Sequence, residues 1–457
     1  MRKKITNLHL LITRCVLTVL VLGVSATFAT GQEVSPSQAR LNRERGLQIL
    51  SIVKNIIKEQ YYDPKFRGLD LDKHFKATQV RIKELDTAPQ IFTAIAQAVI
   101  DFNDSHTRYL PPPRINRVEY GFSMQMVDDV CRVVDVMHGS AAEANGLKVG
   151  DAISDISGYR PRRDSLWALT YLLYTIEPRP ELALNVTGID GVSRQVVVPL
   201  LLVTPDERKR RSNRRKDLEK QHPELKSKPY KCQEINSDLI ACKLYTFEVD
   251  PSVIDKMMKE VGERKQMILD LRGNGGGRVE TESKLTGYFF DHDVKIGSEI
   301  GRRQNVERIA KSRKEKAFKG KLVVLVDSFS ASASEVFARV IQIEKRGEVV
   351  GDTSAGAVMT SLRFSLDFNE ARAFGGMSVT ISDLLMTDGK RLEGTGVVPD
   401  FKNVPSGQSL AERSDPTLAF AASLCGARLS KEEAGKFYFI ADVPEVDSET
   451  ETDKEDK

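Results

Sequence analysis

Apolar residues recur at three- and four-residue intervals through the early part of the chain. "GLQILSIVKNIIKEQYYD" and "APQIFTAIAQAVIDF" carry this spacing, which predicts amphipathic helices between residue 33 and about 110. The three prolines of "NDSHTRYLPPP" close that region. From 117 to 203 the period shortens. "CRVVDVM", "LALNVTG" and "RQVVVPLLLV" read as strands, while "RDSLWALTYLLY" has one helical apolar face, over 164–174. From 229 to 425 apolar runs such as "LIACKLYTF", "MILDL" and "LVVLVD" alternate with helical stretches such as "VIDKMMKEVGE" and "SEVFARVIQIE". That alternation predicts an α/β domain with several buried strands.

The flanks are different in kind. "MRKKITNLHLLITRCVLTVLVLGVSATFATGQE" has a basic start, an apolar stretch and small residues near Ala29 to Gly31. It reads as a signal peptide, with an uncleaved anchor helix as the alternative. No other segment approaches the roughly 20 apolar residues of a spanning helix. "DERKRRSNRRKDLEKQH" is a dense charge run, expected as a solvated linker or exposed helix. The tail "DVPEVDSETETDKEDK" is acidic and lacks aromatics. The shifts divide the sequence into a signal peptide (1–31), a helical domain (33–112), a mainly β domain (117–203), a basic linker (204–228), an α/β domain (229–425) and an acidic tail (442–457).

Composition is that of a globular protein: 40% hydrophobic and 29% charged, over 457 residues. A net charge of +4 does not suggest a nucleic-acid or membrane-surface partner. The expectation is a secreted or periplasmic protein with no stable membrane insertion once the signal is removed. In "YKCQEINSDLIACKL" a hairpin at "NSD" would set Cys232 opposite Cys242, either bridged or as two buried thiols. No cysteine or histidine has zinc-ligand spacing, and no metal or cofactor is expected.

Chemistry is suggested by two words. In "KLVVLVDSFSASASEVFARVIQIE" a strand, a loop and a helix carry four alternating serines. Ser332 stands three residues before Glu335, the spacing of a capping box. A serine at such a turn is also where hydrolases hold a nucleophile, because the helix's free N–H groups face the reacting oxygen. In "MILDLRGNGGGRVET" three glycines follow a strand and can turn backbone N–H groups toward a ligand. No Gly-Lys-Ser/Thr follows, so it is not a P-loop.

The stretch "AAEANGLKVGDAISDISG", with "YGFSM" before it, resembles a PDZ domain over 117–203. That resemblance implies a peptide-binding groove between the strand at Tyr120, Gly121, Phe122, Ser123 and Met124 and the helix 164–174, filled by strand addition. "DLRGNGGG", "VLVDSFSASASEVF", "VVGDTSAGA" and "LEGTGVVPD" occur in the order found in S41 peptidases, the C-terminal processing (tail-specific) proteases and the tricorn core. This resemblance spans about 40 to 405. It implies a crotonase-like spiral of ββα units for 229–425, Ser332 as nucleophile, and oxyanion donors from Gly276 or Gly277 and from Ala333.

One departure matters. The processing proteases pair the serine with a lysine, and Ala357 occupies that place in "VVGDTSAGAV". Alanine cannot take a proton. The tricorn-like branch uses a histidine instead, which by resemblance is His106 of "DFNDSHTRYL", assisted by Ser105 and oriented by Glu393; His292 is the reserve base. Asp270 and Arg272 would brace the glycine loop. The function implied is a serine endopeptidase acting on the C-termini or unfolded segments of other proteins, with a catalytically inactive peptide-binding scaffold as the alternative.

Overall fold

The computed structural model describes residues 34–221, 228–366 and 375–437. The expected signal peptide, the acidic tail and His222 lie outside the described residues. Three helices come first: α1 (Pro36–Gln60), α2 (Leu71–Ile82) and α3 (Ala88–Ile100). Each starts where the sequence supplies an acceptor for orphan amides: Ser35, Asp70 and Thr87. The four-residue spacing of Ile49, Val53 and Ile57 lays one stripe of α1 on the core.

That core is not private to the helices. It includes Leu366, Met377 and Val379 from far along the sequence. The reason is β1 (Arg108–Leu110), which follows the helices and pairs antiparallel with residues Gly376–Ser378. The helical region is therefore fastened to a sheet of the C-terminal half.

Next come β2 (Arg117–Glu119), β3 (Phe122–Val127), β4 (Val130–Val136), a short helix α4 (Ala141–Ala144) and β5 (Ala152–Ile156). Helix α5 (Leu166–Thr170) continues as a π-turn to Ile176, two residues beyond the expected 164–174. It is followed by β6 (Glu181–Thr187), β7 (Ser193–Pro199) and β8 (Leu201–Val203). Strands β3 to β7 make an antiparallel sheet in sequence order, so β3 is one of its edges. The basic run forms helix α6 (Pro205–Gln221).

The C-terminal half opens with β9 (Tyr230–Glu234), β10 (Leu239–Leu244), α7 (Ser252–Val261), β11 (Gln266–Asp270) and α8 (Val279–Gly287). Then follow β12 (Val294–Gly301), β13 (Asn305–Ala310), β14 (Lys321–Val326), α9 (Ala333–Ile343) and β15 (Glu348–Gly351). Beyond them lie β16 (Met359–Ser365), β17 (Gly376–Met386), β18 (Phe401–Lys402) and α10 (Pro416–Leu424). The principal sheet runs β18-β15-β14-β11-β10-β9, parallel except for β9.

Its central strands are apolar throughout because both faces are covered. Ile240, Cys242, Met267, Leu269, Leu322 and Val324 face a core containing residues of α7 and α9. Their neighbours Leu239, Ala241, Ile268, Val323 and Leu325 face Leu418, Ala421 and Ala422 of α10. That second core continues past residue 425, through Ala427 and Ala434. A second sheet, β1-β17-β12-β13 with β16 on β17, is antiparallel.

Cys232 lies directly across from Cys242 in the β9–β10 pair, and the two are joined as a disulfide. Closing a loop of this size stabilises by about 2–3 kcal/mol through the unfolded state. Replacing both cysteines by serine is expected to lower the unfolding free energy by that amount, read as a lower denaturation midpoint. The variant's midpoint should no longer respond to dithiothreitol; an unchanged midpoint in oxidised protein would show that the bridge contributes nothing.

Candidate active site

Three loops leave the C-terminal ends of adjacent parallel strands: 271–278 after β11, 327–332 after β14 and 352–358 after β15. Open α/β sheets commonly build sites on that edge. The first two loops are stitched together. The Ala331 amide and the Ser334 hydroxyl both donate to the Asn274 carbonyl, at 3.0 and 2.9 Å. Ser330 Oγ donates to the Leu271 carbonyl at 2.8 Å. Asp327 Oδ1 collects the amides of Gly273, Phe329 and Ser330 at 2.9–3.0 Å.

The alternating serines thus divide their work. Ser330 and Ser334 are buried struts. Ser328 donates to the Met126 carbonyl at 2.5 Å and ties β3 to the loop. Ser332 alone sits at the bend, with φ +53° and ψ −116°. A left-handed conformation at a residue with a Cβ costs on the order of 1–3 kcal/mol and persists only when its surroundings impose it.

What imposes it is visible. The Ser332 amide donates to the Ala357 carbonyl and to Glu335 Oε2, both at 3.0 Å. The spacing of Ser332 and Glu335 suggested a helix cap, and Glu335 does return to the Ser332 amide. Its own amide, however, donates to the Ser332 carbonyl at 3.0 Å. Fully buried, Glu335 also accepts from Ser354 Oγ (2.6 Å), the Gly356 amide (2.7 Å) and the Ala357 amide (2.9 Å). Burial pushes its pKa up to about 7 in spite of these donors. The sequence flagged Glu335 only as a cap; its second task depends on a loop some 20 residues downstream.

Close packing at the bend requires glycine at 276. A Cβ there would lie 2.7 Å from Ser332 Cβ and 3.0 Å from the Ala333 nitrogen, and φ is +95°. The Gly276 amide, expected as an oxyanion donor, is already donated to Asn274 Oδ1 at 2.9 Å. Gly276 therefore shapes the approach to Ser332, while Gly277 packs against the Phe247–Glu248 backbone. Ala333 is the first residue of α9, where amides lack intrahelical partners. Beneath the loop Arg272 is bonded to both Asp270 and Asp415 at 2.7–3.0 Å. Lys243 Nζ donates to the Arg272 carbonyl at 2.8 Å.

The third group arrives from the N-terminal region. Ser105 Oγ donates to Glu393 Oε2 (2.8 Å) and the Ser105 amide to Oε1 (3.0 Å). Ser105 Oγ also lies 2.8 Å from His106 Nδ1. A hydroxyl has one proton. With that proton given to Glu393, Nδ1 must be the donor, which leaves the lone pair on Nε2. Burial pulls the His106 pKa down to about 4, so the ring is neutral near pH 7. Burial likewise raises the Glu393 carboxyl above its ordinary range.

Asp104, which no motif or spacing singled out, shapes this turn. It accepts from the His106 and Thr107 amides (2.9 and 3.1 Å), Tyr61 OH (2.9 Å) and Thr380 Oγ1 (2.7 Å). The two halves meet through one peptide unit. The Ala357 carbonyl accepts from Ser332, and the next amide, Val358, donates to Glu393 Oε2 at 2.9 Å. Ser332 and His106 are not joined by a direct hydrogen bond among the described residues. His292 is on the surface, 2.8 Å from Asp291 and apart from these loops.

The other expected binding residues lie in the small sheet. Tyr120 is buried, and its hydroxyl is bonded to the backbone of Arg179. Gly121 has φ +71° and packs against Ser140. Phe122 and Met124 face the sheet's core, and Ser123 is exposed. Among the described residues no helix is long and apolar enough to cross a membrane, and no group of acidic, His or Cys residues could hold a metal.

Residues 240–403 match the family model of peptidase family S41. Carboxyl-terminal-processing peptidase 1, chloroplastic, of Arabidopsis thaliana is 23% identical over 70% of this chain and 64% of its own length. A Staphylococcus aureus protein named "Probable CtpA-like serine protease" is 23% identical over 80% of this chain and 72% of its own. The structure of mature CPAF complexed with lactacystin has a TM-score of 0.61 at 15% identity, covering 81% of this chain and 96% of that one. At that identity the likeness speaks for the fold.

Glu335→Gln would present an amide N–H₂ to groups that are all donors. A loss of about 1–3 kcal/mol is expected, read as a lower guanidinium midpoint by circular dichroism. An unchanged midpoint would mean that the carboxylate does not hold loop 354–357.

Proposed function

We propose that this chain is a member of peptidase family S41, whose model matches residues 240–403, and that it is an exported serine peptidase using Ser332 as nucleophile and His106 as base. The observation that carries the reading is the hydrogen-bonded series Glu393–Ser105–His106, which orients a neutral imidazole with Nε2 unprotonated. A base oriented by a third group is how a serine hydroxyl is activated.

Ser332 Oγ attacks the scissile carbonyl while His106 Nε2 takes its proton. The resulting oxyanion is met by the amide of Ala333, at the start of α9, and by that of Gly277. His106 then protonates the leaving amine, and the acyl-enzyme forms. Water attacks the ester with His106 again as base, and Ser332 is restored. Ser105 carries the interaction between Glu393 and the ring, stabilising the imidazolium that forms in each half.

Ala357 does not weaken this scheme. Its backbone N–H and C=O brace Glu335 and Ser332, so the position serves without an ionisable side chain. Residues 117–203 act as a PDZ-like capture domain in this reading. Their edge strand β3 takes an exposed peptide end or unfolded segment, and the tie between Ser328 and Met126 holds that domain against the nucleophile loop. The substrates are proteins or peptides, and the N-terminal segment directs the protein to the periplasm or exterior.

Fluorophosphonate labelling of the purified protein tests the nucleophile. Ser332→Ala should abolish labelling. His106→Ala should slow it by about 10²–10⁴-fold, with both variants folded by circular dichroism. A wild type that never labels but still binds peptides would favour the inactive scaffold.

The pH dependence tests the base. A neutral His106 is required, and its pKa is depressed from 6.5 to about 4. Peptide kcat/KM should hold as pH falls through 6.5 and decline only nearer 4. An acid limb at or above 6.5, with the fold intact, would point to another base.

A further inference from the structure

Beside the bend lies a cleft of about 1070 Å³, bounded by Ser105, Ala331, Ala357 and Glu393. Five arginines and three carboxylates line it, so its walls are cationic. Most of those arginines have work elsewhere. Arg163 is paired with Asp352 at 2.8 Å, Arg162 with Asp164 at 3.2 Å, and Arg67 donates to the Asn103 carbonyl.

Arg108 is different. Its guanidinium carbon lies 4.9 Å from the centroid of the Trp167 ring. Its Nε is shielded from solvent without a hydrogen-bond partner, as are those of five other arginines, so the stacking and the place on the cleft wall are what set it apart. Among the described residues no carboxylate is within ion-pairing distance of it. Burial lowers its pKa, opposed by Tyr171, Asp104 and Glu393, but a guanidinium remains charged in proteins. Half-buried on the cleft wall with no carboxylate beside it, the guanidinium can meet an anion that enters the cleft. A planar guanidinium held against an aromatic ring is suited to receive a carboxylate through paired N–H donors.

We propose that Arg108 is a specificity-determining residue that binds a substrate carboxylate inside the catalytic cleft, so that the site selects acidic segments or peptide ends. The carboxylate comes from the C-terminus or from an Asp or Glu side chain; the chemistry is shared. This rests on the peptidase reading above, but it can be measured without turnover. Trp167 is the only tryptophan in the sequence, so occupancy beside Arg108 is reported by intrinsic fluorescence.

The test uses Ser332→Ala protein and four peptides of one sequence, with the C-terminus free or amidated and one internal residue Asp or Asn. The carboxylate-bearing peptides should bind about 10–100-fold more tightly than the neutral one. Whichever substitution carries the difference identifies the source. Adding Arg108→Gln should bring the ratio close to one, and Arg108→Lys should keep part of it. The preference should shrink between about 50 and 500 mM salt.

Equal affinity for all four peptides, binding of none, or a preference that survives Arg108→Gln would overturn the proposal. The last outcome would assign the carboxylate to residues 120–124. If Arg108→Gln does not fold, the lysine variant and the salt series decide. Absence of fluorophosphonate labelling in wild type would overturn the peptidase reading alone, leaving the titration to judge Arg108.

Discussion

A single peptide unit, between Ala357 and Val358, is the joint on which the site depends. Its carbonyl accepts from the Ser332 amide and its N–H donates to Glu393. The two bonds point to opposite sides of a rigid trans plane. One side holds the strained bend of Ser332; the other holds the carboxylate that orients Ser105 and His106. Groups more than 200 residues apart in sequence are thus placed by backbone geometry, which has few soft torsions. The side chain at 357 takes no part in either bond, so alanine serves there.

Burial then sorts the charges. Among the described residues Glu335 and Glu393 have no cation in hydrogen-bonding contact and accept from hydroxyl and amide donors, and both are pushed toward the neutral form. Below the glycine loop the arrangement is the reverse. Asp270, Asp415, Arg272 and Lys243 are buried together as opposite charges with directed hydrogen bonds. Such a cluster gains little stability over apolar packing, but removing one member leaves an uncompensated charge. Its effect is to set the position of the Arg272 carbonyl, and with it the entry to the glycine run. The two environments bracket the bend, one tuning protonation and the other geometry.

Legibility differed residue by residue. Ser332 and the glycine run could be read because each lies in a short word whose backbone demands are local. Ser105 and His106 stood in one word and Glu393 in another, and their roles came only through resemblance; the structure links Glu393 to Ser105 and Ser105 to His106 by hydrogen bonds. Asp104 gave no signal, since its partners Tyr61 and Thr380 come from an early helix end and a late strand. Gly276 looked like a donor because glycine freedom is visible in sequence, whereas the acceptor that occupies its amide, Asn274, is a matter of side-chain direction. Helix α5 overran its expected end because the backbone passes into a π-turn, which apolar periodicity does not distinguish.

What the sequence by itself determined was the order of elements and the α/β class. Hydrophobic period and capping residues act within a few positions of themselves, and burial of those faces leaves few alternatives. What only the tertiary structure decided was the site's protonation and its unpartnered charge. A neutral His106, a Glu335 shifted to about 7 and an Arg108 beside Trp167 with no carboxylate partner among the described residues all depend on packing by distant segments. Desolvation belongs to the three-dimensional neighbourhood, and no window of sequence holds it.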